Sequence, residues 1–356
     1  LGAGLFVLQQ WIGTDDFRNR VEVLVGSALG KEVVVGSLVV DIWPVPAVAV
    51  NALQIKTRPL MRIERVEVRA VLSGLLAGRL ELATLLVRRV EVSQTAVDDL
   101  IQSLSRVQAV AGNRTAGPDG GSLALLPRRL ILDAISWRDQ NGAATTIDAD
   151  VRLDAAGMPQ QLRMTVVQGR LQGMLVWLER KAAGWDVAVD VAGGTIKGTL
   201  KGPTAPAVQG KKTGLAFNGR LETNNVELEL LLRRSAGNDP GGPMRGKLKA
   251  STTFAAEADD LEGLLAHLRT HSQFSVHHAV LHGVDLVRAV KTVGLNQGGE
   301  TRLDTLTGQV VTQGRVIELQ ALNARSGVLS AHGDVVVATN RALSGRVFVN
   351  LGAKVV

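Results

Sequence analysis

Apolar and polar side chains alternate with a period of two along most of this chain, the mark of β-strands with one dry and one solvated face. In residues 65 to 70, Val66, Val68 and Ala70 point one way while Arg65, Glu67 and Arg69 point the other. The middle of the chain repeats the pattern. Ile147, Ala149, Val151 and Leu153 alternate with Asp148, Asp150, Arg152 and Asp154, and Trp185, Val187, Val189 and Val191 with Asp186, Ala188 and Asp190. Residues 226 to 232 read the same way, with Val226, Leu228, Leu230 and Leu232 on the dry side. Residues 32 to 55 predict two more apolar strands joined at Trp43-Pro44. Helical spacing is confined to short stretches. Phe17, Val21, Leu24, Val25 and Ala28 fall on one face of a helix predicted over 14 to 29, with Thr14 as N-cap and Gly30 as its stop. Shorter helical segments are expected at 72–78, 96–110, 259–271 and 284–294.

Buried parallel strands would read as continuous apolar runs, so the alternation predicts a mainly β, antiparallel fold. About fifteen strands stacked at ~4.8 Å would extend some 70 Å, and an open sheet of that width must curl, split or flatten. A split sheet packs on itself as a sandwich; a curled one leaves its apolar side as an elongated groove. The period does not choose between them. Polar, Gly- and Pro-rich stretches at 112–122, 201–214 and 235–243 read as loops or linkers. They divide the chain into a segment 1–11, an N-terminal region 12–111, a middle meander 112–213 and a C-terminal region 214–356.

Composition narrows the chemistry. Of the 356 residues 46% are apolar but only 3% aromatic, with no Tyr, so the dry face is built of Val, Leu, Ala and Ile. Such a wall suits flexible hydrocarbon better than a ring-lined small-molecule pocket. The formal charge is +7, with 29 Arg and 11 Lys, which suits a polyanionic partner, either nucleic acid or an anionic lipid surface. Nucleic acid is the weaker partner, because the aromatic stacking platforms of single-strand binders are missing and the basic residues are spread through alternating strands without forming a patch. There are no cysteines, hence no disulfides and no thiolate metal sites. Residues 1–11, LGAGLFVLQQW, read as the end of a truncated transmembrane helix with Trp11 at the interface; a signal-peptide remnant or a buried strand is the other reading.

No constellation of side chains points to catalysis. Five of the six histidines, His267, His271, His277, His278 and His282, crowd one stretch. His267 and His271 sit four apart, yet no Glu follows His267 as a zinc-protease motif requires, and His277 and His278 point to opposite faces of a strand. Neither a metal site nor a cofactor is expected. Asp98-Asp99 and Asp259-Asp260 mark helix starts, where they complement the helix dipole. Neither a phosphate-binding loop nor a G-x-S-x-G elbow is present, so a non-enzyme is expected.

Two stretches resemble the AsmA family of Gram-negative bacteria, which is similar to the chorein-type bridge-like lipid transfer proteins. The first is LVGSALGKEVVVGSLVVDIWPVPAVAVNALQI (24 to 55), continued by LLAGRLELATLLVRRVEVS (75 to 93). The second is FSVHHAVLHGVDL (274 to 286), followed by residues 298 to 337. The resemblance implies a single-pass inner-membrane protein with its bulk in the periplasm. It also implies a curved β-sheet, or β-taco, whose apolar groove carries phospholipid tails between inner and outer membrane. On this chain the groove would be lined by Val33, Val35, Val48, Val50, Val66, Val68, Ile147, Ala149, Val151, Leu153, Val187, Val189, Val191, Val226, Leu228, Leu230 and Leu232. The partners expected are phospholipid, the inner membrane, and proteins of outer-membrane assembly or lipid transport. The other reading is a structural or regulatory scaffold for outer-membrane biogenesis that conducts no lipid. A surface adhesin would show a strict short repeat, and the chain has none.

Overall fold

The computed structural model describes all residues except 1–14, 42–46, 72–81, 94, 97–98, 101–102, 104–126, 139–141, 155–156, 203–214, 233–241, 259–262, 264–265, 293–297, 328, 341 and 353–356. The three expected linkers, the Trp43-Pro44 corner, the 72–78 turn and segment 1–11 lie largely or wholly outside the described residues. The chain divides into two compact units, Leu1–Gly173 and Met174–Val356.

In the first unit, helix α1 (Asp15–Leu29) leads into β1 (Val33–Val34) and β2 (Ser37–Asp41), which lie end to end along β3 (Ala47–Ile55). The break between them is held from the helix, since Val35 N–H donates to the Glu22 carboxylate at 2.7 Å. Strands β4 (Met61–Ala70) and β5 (Leu82–Ser93) continue antiparallel. The expectation of an antiparallel sheet fails at one join, where β6 (Arg129–Arg138) lies parallel to β5. A parallel neighbour needs a crossover of a dozen residues or more, and the residues from 94 to 128 supply it. Within it residues 95–96, 99–100 and 103 are helical, and Ala96 is 1% exposed. Strands β7 (Ala144–Leu153) and β8 (Pro159–Gln168) complete the unit, antiparallel again.

The pleat of this unit changes phase in step across four strands. Ala52, Arg89 and Ala134 have positive φ, a conformation seldom adopted within strands. The ladders skip Ala52 against Glu64, Glu64 against Arg89, and Arg89 against Ala134, so the four positions lie in one line across the sheet. Apolar residues therefore step by three at the line: Val50 to Leu53, Ile63 to Val66, Val87 to Val90, Leu132 to Ile135. All four steps keep the dry side chains on one face. The Ala134 N–H displaced from the ladder donates to Asp148 at 2.8 Å. On this face Val25 and Leu29 of α1 and Leu100 of the crossover cover Val33, Val35, Leu53, Ile55, Met61 and Val90.

The second unit is a meander in which every strand pairs antiparallel with the next: β9 (Leu175–Lys181), β10 (Gly184–Val191), β11 (Gly194–Lys201), β12 (Leu215–Glu227), β13 (Met244–Ala258), β14 (Arg269–His282), β15 (Glu300–Gln313), β16 (Val316–Ser326), β17 (Leu329–Val337) and β18 (Leu343–Leu351). The fold is thus mostly antiparallel β, as the alternation predicts. Two local expectations are corrected. Residues 226–232 are not one strand: β12 ends at Glu227 and Leu228–Leu232 form the helical turn α2. Asn225 has φ 54 and breaks the pleat, and the Leu-Glu-Leu-Leu-Leu run that follows has high helix propensity. The helix expected at 259–271 has given way to strand by Arg269, where Thr270 pairs with Phe254 and Thr312. A third short helix, α3 (Leu286–Lys291), is capped by Asp285, whose carboxylate accepts from Arg288 N–H.

Among the described residues no helix is long and apolar enough to cross a membrane. The longest, α1, has fifteen residues and carries Asp15, Asp16, Arg18, Arg20 and Glu22, whereas a span needs about 20 apolar residues. This overturns the single-pass inner-membrane localisation and, with it, the reading of an anchored carrier between two membranes.

Candidate functional site

The chemistry available to this chain lies on its two sheet faces. Strand register gives each unit a dry face and a wet one. In the first unit the wet face is laced with ion pairs. Glu67 is buried, and both of its oxygens are engaged, by Arg69 Nε at 2.7 Å and Arg65 Nη2 at 3.0 Å. It sits opposite Ala49, with Arg69 opposite Ala47, and these small side chains leave room for the long ones to lie flat. Burial by itself would raise the Glu67 carboxyl, but the hydrogen bonds and charges of Arg69 and Arg65 outweigh it and hold the group below the ordinary carboxylate range. Asp150, bonded through both oxygens to Arg129, is lowered by that hydrogen bond against a smaller desolvation. Arg88 pairs with Asp133 at 3.1 Å. A hollow of about 390 Å³ on this side is lined by Arg69, Arg88, Arg163, Asp133 and Asp150 among others. Arg69, Arg88, Asp133 and Asp150 are paired within the chain, and Arg163 adds its charge near Asp150.

The dry face of the second unit is different. A hollow of about 690 Å³ is walled by residues of β12 to β18, among them Leu248, Phe274, Leu306, Val310, Leu319 and Leu322. That volume falls within the ~300–1,000 Å³ of ordinary ligand sites. One end is closed. Leu286 and Val287 of α3 and Leu228 of α2 pack with Val276, Ala279, Leu303, Leu329 and Ala331. Beyond these two short helices no described element of the second unit covers the lining. The floor is smooth because rings lie over glycine: Phe274 pairs with Gly308, and a Cβ added there would stand 3.1 Å from the ring. Here too the pleat slips at positive-φ positions. His278 (φ 51) separates Val276 from Ala279, and Ala321 (φ 50) separates Leu319 from Leu322; Ala321 N–H, freed from the ladder, donates to Asp334 at 2.7 Å.

Of the seventeen groove residues expected from the sequence, the hollow brings together Leu228 and Leu232. Val226 lies fully buried beside it (0% exposed), and Leu230, on the outer side of α2, is 39% exposed. Val33 and Val35 are core residues under α1, and Val50 and Val66 pack against that core. Val48, Val68, Ile147, Ala149, Val151 and Leu153 share the dry face of the first unit. Val187, Val189 and Val191 share the face of the second unit that carries the hollow but do not line it. The residues missed, Met244, Leu248, Phe274, Leu281, Leu303 and Leu306, fall in strands where a strict period of two breaks. The three-residue steps Val276 to Ala279, Leu303 to Leu306 and Leu319 to Leu322 are the signal that would have found them.

The histidines form no metal centre: among the described residues there is no group of three or more His, Asp or Glu able to hold an ion. His267 Nδ1 bonds the Gly263 carbonyl, His277 Nε2 bonds Ser275, and His282 Nδ1 meets Glu300 at 2.9 Å. Comparison with known protein families, with curated proteins and with solved structures finds no match to this chain.

Proposed function

We propose that this chain is a non-enzymatic β-sheet scaffold, structural or regulatory, of outer-membrane biogenesis, which holds a lipid and does not conduct it. The observation that carries the reading is the bounded hollow of the second unit: 690 Å³ of Leu, Val, Phe and Met wall, closed at one end by α2 and α3. A phospholipid acyl chain is the occupant its chemistry fits. Each methylene removed from water contributes about 0.8 kcal/mol, and the lining holds no Asp, Glu, Lys or Arg whose desolvation would oppose it. The β-groove expected from the AsmA resemblance is, in this reading, a short site rather than a continuous trough, since α1 and the crossover residues already occupy the dry face at the start of the first unit. The wet faces, with their fixed ion pairs, are the surfaces left for protein partners.

The test is the lipid content of detergent-free protein. Organic extracts of the purified chain should contain phospholipid in roughly equimolar amount, and Ala250→Trp, which places an indole in the hollow, should abolish it without loss of fold by circular dichroism. An extract free of lipid, or lipid unaffected by the tryptophan, would overturn the reading.

A further inference from the structure

The hollow is not apolar along its whole length. Three hydroxyls lie in its wall, those of Thr223, Thr252 and Ser272. Thr252 and Ser272 are directly paired across β13 and β14, and their oxygens are 2.8 Å apart. Thr223 sits on the neighbouring strand, opposite Ala250 and so diagonal to Thr252. The next row outward on the same face pairs Thr270 with Thr312. In the other direction the rows carry Ala250 and Phe274, then Leu248 and Val276, and end at Met244 and Leu281 beneath the short helices. From Met244 to Thr252 is eight residues, roughly 25 Å of strand at ~3.3 Å per residue. Along β13 and β14 the wall thus passes from hydrocarbon at its closed end to paired hydroxyls, which Val310 and Leu319 flank in the same row.

We infer that the hollow takes an acyl ester in one orientation, tail toward α2 and α3, with the ester carbonyl accepting a hydrogen bond from the Thr252–Ser272 pair. The reasoning rests on the lipid-holding reading above and adds the ligand's polarity and direction to it. Two hydroxyls bonded to each other use one proton between them and leave the second free to donate. Both residues are partly exposed in the open hollow, so water serves that proton until a lipid displaces it; a ligand that excludes water must then supply the acceptor, and a hydrocarbon or an ether at this height is a poorer match than a carbonyl. Thr270 and Thr312, one row farther out, would meet the glycerol that follows the ester.

Calorimetric titration of the purified chain with 1-monopalmitoylglycerol and with its ether counterpart, 1-O-hexadecylglycerol, separates the possibilities. The ester should bind about three- to tenfold more tightly, the worth of one hydrogen bond. Thr252→Val with Ser272→Ala should reduce ester affinity to that of the ether and leave the ether unchanged; retained ether binding shows that the variant is folded, and Ser272→Ala alone should show a smaller loss of the same kind. Equal affinity for ester and ether in the parent chain, or a double variant that weakens both alike, overturns the inference and leaves lipid holding intact. Binding of neither overturns both.

Discussion

The two units put similar apolar strands to different ends. In the first, a fifteen-residue helix and a crossover segment cover the dry face, and Val33, Val35, Leu53 and Ile55 become core. In the second, the covering elements are five and six residues long, so the cover stops short and leaves a hollow. Strand composition does not explain the contrast. Its cause is the length of what packs on top, which strand periodicity does not record.

The largest effect expected follows directly. Leu53→Ala, in the covered face, should cost about 2–5 kcal/mol, because it opens a cavity in a closed core. Leu319→Ala, in the wall of the hollow, should cost under about 1 kcal/mol, because that side chain already borders open space. Denaturant titration of the two variants checks the pair, and similar losses would erase the distinction between the units.

A smaller effect belongs to the wet face of the first unit. Glu67→Gln removes a buried carboxylate from between two guanidinium groups. It should cost about 1–2 kcal/mol at neutral pH, less than a fully buried pair because Arg65 and Arg69 are partly exposed. The folded carboxyl titrates below its unfolded value, so its contribution is complete above the unfolded value, near pH 4.3, and fades as pH falls through the lower folded one. Stability curves of parent and variant should converge as acid is added below about pH 4; curves that stay parallel would show that the carboxylate's pairing is not what stabilises the site.

The smallest concerns the cover of the hollow. Asp285→Ala removes the cap of α3 and should cost about 1 kcal/mol, read most sensitively as faster amide exchange at residues 286–291, with no change around Leu53 in the first unit.

Much of the fold was readable in the sequence because alternation is a local consequence of strand geometry: 144–153 and 184–191 are strands where Ile147 to Leu153 and Trp185 to Val191 alternate. The hollow was not, for two physical reasons. Pleat slips at Ala52, Arg89, His278 and Ala321 shift the dry face by one residue, so a fixed period loses Leu306 and Leu322 while it retains Val187. The run from Leu228 to Leu232 satisfies both a strand and a helix pattern, and a local bulge at Asn225 decided it. Nor did the apolar stretch at 1–11 settle membrane attachment: no described helix is long and apolar enough to cross a membrane.

Photolabelling with a phosphatidylcholine that carries a diazirine near the end of one acyl chain asks most directly where hydrocarbon goes. Peptide mapping should find the adducts on Leu248, Val276, Leu303 or Leu306 at the closed end of the second unit's hollow, with none on the covered face around Leu53. Labels spread evenly over both units, or concentrated on the first, would contradict the assignment of the hollow as the lipid site.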